Sequence, residues 1–351
     1  MSRSRVQNPT RRGASMRAFA TPSYGPPEVL RAVERPVPTP APDELRIVVE
    51  AVAVTRGDDR LRGGEFPGAT ALLGRALFGV ARPRAAVQGT MFAGHVAEVG
   101  LDVTRFAVGD RVFGEVAHGA YAEQIVASET SALAHIPPHL TAAQVAAIPY
   151  GAVSAWVFLH DVAAVEAEQH VLVVGAGGGI GRYAVQIAMH LGARVTAVAR
   201  PRHDATLLPL GLAESGGPHQ VIRDRSALRD PADVVLDTSG SSHLNDWRPH
   251  LKPTGRFVTP DLSGRLLVDL LLCRLRSGPT VHFGMGLVTA ENLSAVATLL
   301  ETGAMKPIIA QQFAFDKLVE AHHCLHHDRP SGDVVVEVVP RPAGQPQARS
   351  A

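Results

Sequence analysis

Two cysteines, Cys273 and Cys324, are all that the 351 residues contain. So few exclude a disulfide framework and a four-cysteine zinc lobe, and they point to a reduced, cytoplasmic protein. Charge of one sign is lacking as well: 34 Lys and Arg face 33 Asp and Glu, leaving a formal +1. Such a balance provides no electrostatic footprint for nucleic acid or for an acidic membrane surface. Nor is there an apolar run of the ~18 residues needed to span a bilayer, since Asp269 interrupts the stretch from Leu266 to Leu272. The chain is longer than one hydrophobic core usually organises, so two domains are expected.

What is present changes in kind along the chain. The first fifteen residues carry Arg3, Arg5, Arg11 and Arg12 and no acid. That composition is similar to organelle-targeting segments but has no apolar face, and residues 1–15 are expected to form a disordered leader. From 16 to 148 the pattern is strand-like and turn-rich. Leu45 to Val54 alternates as a half-buried strand, Phe92 to Val99 is a second, and Asp110 to Gly114 and Ala120 to Val126 continue a barrel-like pattern. From 149 to 282 short apolar runs at 171–174, 195–199, 220–222, 234–236, 256–259 and 280–283 alternate with helical patterns. This is the signature of a doubly wound parallel sheet, and the fold class expected is α/β. Residues 283–340 hold an amphipathic helix from Glu291 to Glu301 and a last strand, Val334 to Val339, expected to return to the β-rich domain. Residues 341–351 are rich in Pro, Ala, Gln and Ser and read as a disordered tail.

The run from His170 to Val185 carries the densest chemistry. Four apolar residues from Val171 fit a parallel strand covered on both faces. The glycines that follow let backbone approach a pyrophosphate that a Cβ would hold off. A helix opening near Gly179 points free N–H groups and the positive end of its dipole at that anion. The spacing Gly175-x-x-Gly178-x-x-Gly181 is one residue longer than the six-residue dinucleotide fingerprint. Its context is complete, however: Ala184, Val185, Ile187, Ala188 and Leu191 supply a helical apolar face, Gly192 closes the helix, and Arg194 to Ala199 read as the next strand. Gly175, Gly178, Gly179, Ile180 and Gly181 are therefore the candidate pyrophosphate residues. An acid at the end of the second strand would accept from the adenosine ribose and repel a phosphate on it; Arg200-Pro201-Arg202 stand there instead. Guanidinium groups suit a phosphate, so NADPH is the expected cofactor, held by Arg200 and Arg202. Ser239 and Gly240 lie at the next strand end and complete the cofactor set read from the pattern.

Several phrases occur in one order along the chain: Tyr24-Gly25-Pro26-Pro27-Glu28-Val29-Leu30, Phe106-x-x-Gly109-Asp110-Arg111-Val112-Phe113-Gly114, Gly119-Ala120-Tyr121-Ala122-Glu123 and Ala184-Val185-Gln186-Ile187-Ala188. Together they resemble the medium-chain dehydrogenase/reductase superfamily, in its zinc-free quinone oxidoreductase or zeta-crystallin-like branch, from Met16 to Val339. The resemblance implies a GroES-like catalytic domain interrupted by a Rossmann domain, with cofactor and a small-molecule substrate in the cleft between them. It also implies a homodimer, Ser154 near the cofactor, and Phe283 to Met285 near the nicotinamide.

Where zinc-dependent relatives hold their metal, this chain has Thr55, Thr90 and Met91, and none of these side chains is a plausible zinc ligand. No metal is expected, and His95 reads as a packed strand position. The His322-His323-Cys324-Leu325-His326-His327 cluster forms i,i+4 pairs of the kind zinc can bridge. Without a third ligand it is expected to be a solvated face at a helix end. The Asn-x-x-Asp that the resembling family carries near the nicotinamide reads Thr55-Arg56-Gly57-Asp58 here. Thr55 can still donate to a developing oxyanion, and Asp58 is expected to cap its turn. Tyr121 is the second candidate catalytic residue, a phenol able to protonate an enolate, with strand packing as its alternative role. Met91 replaces an Asp common in the branch and Asp333 a Lys common in the family, and the sequence explains neither. Phe66 stands near where enoyl reductase relatives carry a tyrosine, which argues against enoyl thioesters. The insertion from Gly68 to Val87 is expected to shape the cleft mouth.

The expected activity is zinc-independent hydride transfer from NADPH to a quinone or an α,β-unsaturated carbonyl. The alternative is a catalytically lapsed NADPH-binding redox sensor or assembly partner, motivated by Thr55 and Met91.

Overall fold

The structure, a computed structural model, describes residues 14–66, 71–214, 217–275 and 277–338. The expected leader lies outside them up to residue 13, and the tail lies outside them entirely. Ser15, assigned above to the leader, instead opens β1 (Ser15–Ala20), which pairs antiparallel with β2 (Arg31–Pro36).

The β-rich domain is organised around β3 (Glu44–Val54). It pairs antiparallel with β4 (Met91–Val99) on one side and with β6 (Gln124–Ser128) over its first half, while β5 (Arg111–Glu115) and β7 (Leu133–His135) extend the sheet beyond β4. The sequence of β3 explains its place. Leu45, Ile47 and Val49 are buried at period two, as on a half-buried sheet, whereas Ala51 to Val54 are buried without interruption. The second half is enclosed on both faces: Val52 and Val54 pack into the barrel core, and Ala51 and Ala53 into the core shared with the other domain.

The second domain is a six-stranded, all-parallel sheet of β8 (His170–Val174), β9 (Arg194–Val198), β10 (Gln220–Ile222), β11 (Ala232–Asp237), β12 (Leu251–Thr259) and β13 (Thr280–Phe283). Its strand order is β10-β9-β8-β11-β12-β13, the doubly wound Rossmann arrangement. Every residue of β8 is buried, as its unbroken apolar run requires. Order reverses between β8 and β11, and ligands of such sheets bind beyond the carboxyl ends of the strands at that point. β14 (Ile309–Ala314) pairs with β15 (Asp333–Glu337), and β15 pairs antiparallel with β3, so the chain does return to the β-rich domain.

One expectation needs correction. Helical residues run from Ala142 to Val162, 21 residues with a mean hydropathy of 1.4, which is long and apolar enough to cross a membrane. Gln144 and His160 near its ends keep it from reading as a continuous apolar run. Its apolar window is 83% buried inside the protein, so it is a core helix, packed against the helix Gly181–His190 and the helix Ala290–Glu301.

Candidate active site

The carboxyl ends of β8, β9 and β11 face the end of β3 and the start of β15 across a cleft of about 500 Å³. Both domains therefore wall it. Its floor is the glycine turn. Gly175 adopts φ +76°, a conformation that favours glycine, and its carbonyl accepts from Gly178 N at 2.8 Å. A Cβ on Gly177 would meet the His203 imidazole, and one on Gly181 would strike the Gly175 carbonyl. Gly175, Gly177, Gly178 and Gly179 line the cleft. Ile180 and Gly181 do not: the helix opens at Gly181, two residues later than expected, and Gly181 seals its first turn against the glycine loop.

At the end of β11 the fully buried Asp237 accepts from Ser239 N and Oγ at 2.8 and 2.6 Å and from Ser242 N and Oγ at 2.9 and 2.6 Å. This folds the loop so that Ser239 and Ser241 line the cleft, while Gly240, at φ +63°, lies beside Asp261. At the end of β9, Arg200 and Arg202 are exposed in the cleft wall, and neither pairs with a carboxylate among the described residues. Arg223 stands with them but is held by Asp204 through two 2.7 Å contacts. His203 bonds Ser331 Oγ at 2.5 Å, and burial beside Arg202 and Arg200 holds its pKa below the usual value. A backbone cradle that a Cβ would fill, next to the Arg200 and Arg202 guanidinium groups, fits the phosphates of a dinucleotide.

The opposite wall is built by Thr55, which caps the helix Arg56–Gly63. Asp58 Oδ2 accepts from Thr55 N at 2.9 Å and from Thr55 Oγ1 at 2.6 Å, and Asp58 N donates back to Thr55 Oγ1 at 3.2 Å. This reciprocal box satisfies two donors at the helix start. Asp58 caps its turn as expected, with a pKa pushed up to about 6 by burial. Between the walls, the buried Arg182 guanidinium pairs with Asp333 and donates to Gly178 O at 3.2 Å, while Tyr183 Oη donates to Asp333 at 2.5 Å. Asp333, unexplained by the sequence, is thus the β15 anchor for the first turn of the dinucleotide helix.

The remaining sequence-predicted residues lie outside this cleft. Tyr121 is fully buried, packed on Gly89 and edge-on to His322 with ring centroids 5.6 Å apart, and its hydroxyl has no partner among the described residues. Burial pushes its pKa well above the usual phenol range. Ser154 Oγ donates to Tyr150 O at 2.7 Å and is covered by Gly286. Phe283 packs on the sheet core, and Met285 is 61% exposed.

Comparison with known proteins agrees with this architecture. Residues 41–168 match the alcohol dehydrogenase GroES-like domain, and residues 217–336 match the family described as zinc-binding dehydrogenase. The human NAD(P)H oxidoreductase RTN4IP1, mitochondrial, is 30% identical over 95% of this chain and 92% of its own length. Quinone-oxidoreductase QR1, chloroplastic, of Triphysaria versicolor is 27% identical over 93% of this chain and 99% of its own. The structure of the quinone oxidoreductase from Coxiella burnetii superposes with a TM-score of 0.78 at 26% identity, covering 93% of this chain and 100% of that one. The chain belongs to the medium-chain dehydrogenase/reductase superfamily. It falls in the zinc-free quinone oxidoreductase branch of these nicotinamide-dependent oxidoreductases.

Measured against that superfamily, two histidine expectations are corrected. His95 lies on β4 as expected but is 41% exposed and pairs with Glu50 at 2.7 Å rather than packing inside. The 322–327 cluster is a solvated face only in part: His327 is exposed and His323 half-buried. His322 is fully buried, accepting from Arg62 Nε at 3.4 Å, and His326 bonds Asp59 at 3.0 Å. The helix Leu318–His323 widens into a π-turn, in which His322 and His326 turn to different partners, Arg62 and Asp59, while His323 and His327 keep their i,i+4 alignment with rings stacked at 5.6 Å. Among the described residues no group of three His, Cys, Asp or Glu is placed to hold a metal.

Cleft residues outside the predicted set include Tyr150, Arg182, His203, Arg223, Ser241 and Arg329. His203 had a signal, directly following Arg202, and Arg329 sits in the Asp328-Arg329-Pro330 turn; Arg223 and Tyr150 had none. A second cavity of about 520 Å³ adjoins the barrel, lined by Tyr24, Leu61, Leu77, Phe78, Arg84 and Thr90 among others. The insertion forms part of its wall, although residues 67–70 lie outside the described set.

Proposed function

We propose that this oxidoreductase uses NADPH and reduces a quinone or an α,β-unsaturated carbonyl without zinc. The observation that carries the reading is the pair Arg200 and Arg202, bound to no carboxylate among the described residues, at the carboxyl end of β9 beside a glycine cradle, where a 2′-phosphate-selective site needs cations. Gly175, Gly178 and Gly179 would hold the pyrophosphate, with Ser239 beside them. Bound dihydronicotinamide supplies the hydride. The protein orients donor and acceptor between its two domains, excludes water, and presents hydroxyl groups to the acceptor oxygen, which is how positioning alone lowers a barrier. The two cysteines are free thiols, consistent with a reducing compartment such as the cytoplasm.

Arg200→Glu tests the cofactor assignment. It should weaken NADPH by about 1–3 kcal/mol, the scale of a charge-assisted contact, and leave NADH little changed. Equal affinity of the parent protein for both nucleotides, measured by fluorescence titration, contradicts it. The second reading, a lapsed sensor, is favoured by one observation: the Thr55 hydroxyl hydrogen is already committed to Asp58. Nucleotide binding without turnover of any quinone, enone or enoyl thioester would select it.

A further inference from the structure

Asp58 is 1% exposed and stands between two hydroxyls that open on different spaces. Its Oδ2 takes the Thr55 hydroxyl at 2.6 Å, and Thr55 lines the cofactor cleft; its Oδ1 takes the Thr90 hydroxyl at 3.4 Å, and Thr90 lines the apolar cavity. A capping box needs only the Thr55 side of this arrangement. The Thr90 contact, from β4's approach some thirty residues away, is additional.

We infer that Asp58 is a proton reservoir, delivering a proton through the Thr55 hydroxyl to the acceptor oxygen in the cleft and regaining one through Thr90. This rests on the hydride-transfer reading above. The step balances: hydride from the reduced dinucleotide converts a quinone to its hydroquinone monoanion, whose oxygen takes the Thr55 hydroxyl proton as Thr55 Oγ takes the Asp58 proton. Asp58, left as carboxylate, is reprotonated from water by way of the Thr90 hydroxyl. The net reaction consumes one reduced dinucleotide, one quinone and one solvent proton.

Burial raises Asp58 to about 6, so the protonated form that the relay needs predominates below that pH and falls away above it. The titratable and charged groups around it are Glu115 of β5, raised to about 7, the buried phenol Tyr121, the half-buried phenol Tyr150, and Arg56, Asp59, Arg60 and Arg62 of its own helix. Positioning by Asp58 through Thr55 is what distinguishes a relay from a cap.

The test is the pH profile of quinone reduction, with NADPH affinity measured in parallel. For the wild type, kcat should fall tenfold per unit above the Asp58 pKa. Asp58→Asn should lower kcat at least tenfold at pH 5.5 and flatten the profile, with NADPH affinity unchanged within twofold. Thr55→Val should behave likewise and Thr55→Ser should retain the wild-type profile, which keeps the proposal testable if Asp58→Asn does not fold. Glu115→Gln should leave the descending limb in place. Infrared difference spectra should show a protonated-carboxyl band titrating near pH 6 that Asp58→Asn removes. A wild type that turns over quinones with a flat profile between pH 5 and 8, an Asp58→Asn variant that keeps rate and profile, or a missing carboxyl band overturns the relay alone. No turnover by the wild type at any pH defeats the functional reading itself.

Discussion

Tyr121 and Thr55 were both singled out by residue type, and the structure separates them. Thr55 stands in the cleft wall; Tyr121 meets His322 edge-on in the barrel core, and its hydroxyl has no partner among the described residues. Tyr121→Phe should therefore leave turnover unchanged within twofold and, since it deletes an unsatisfied buried group, leave thermal stability equal or raised. A hundredfold loss of kcat in steady-state assays would return Tyr121 to the chemistry. His322 gives a second outcome at this scale. Burial and the Arg62 charge lower its pKa to about 3, against about 6.5 when unfolded. The native state thus binds fewer protons than the unfolded state between those values, and stability is lost as pH falls from about 6.5 toward 3. Asp58 and Glu115, raised to about 6 and 7, act in the opposite sense, their contribution declining as pH rises. His322→Gln keeps an acceptor for Arg62 and should flatten the acid limb of urea-unfolding free energies; an unchanged limb contradicts the assignment. None of this was legible in sequence, where His322 looked like one of four surface histidines, because burial is decided by which helix packs on which.

Elements were more legible than their contacts. The period-two run of β3, the apolar run of β8 and the six alternating strands appear where the pattern puts them, because strand periodicity and enclosure are local properties of the chain. Most boundaries moved by one or two residues, as at Gly181, but β12 starts five residues before the expected Arg256 and β6 four after the expected Ala120. The contact between the dinucleotide helix and β15 was not legible, since Arg182 and Asp333 are 151 residues apart and neither type announces a buried pair. Their ion pair, with Tyr183 on the same carboxylate, ties the glycine loop to the β-rich domain. Arg182→Ala leaves that carboxylate without its cation, a change typically costing about 3–5 kcal/mol. The expected result is a lower unfolding midpoint together with weaker nucleotide binding, because Gly178 O loses its guanidinium donor and keeps only the 3.3 Å bond from residue 182 N. A variant with wild-type stability would show that Asp333 is solvated in solution.

On the scale of the whole molecule, the site exists only because two domains meet. The glycine cradle and Arg200 come from one, Thr55 and Asp333 from the other, and the core beneath is continuous across them through Ala51, Ala53, Met91 and Val335. Met91, the other departure from the family pattern, is part of that core, so its side chain serves packing. The most direct test of the account is a single-turnover experiment on chelator-washed protein with NADPH deuterated at the transferred position and a quinone acceptor. The account predicts oxidation of the nucleotide with no metal added and a primary deuterium isotope effect on the hydride step. Nucleotide that stays reduced with every quinone and enone offered, or activity that returns only when zinc is restored, would contradict it.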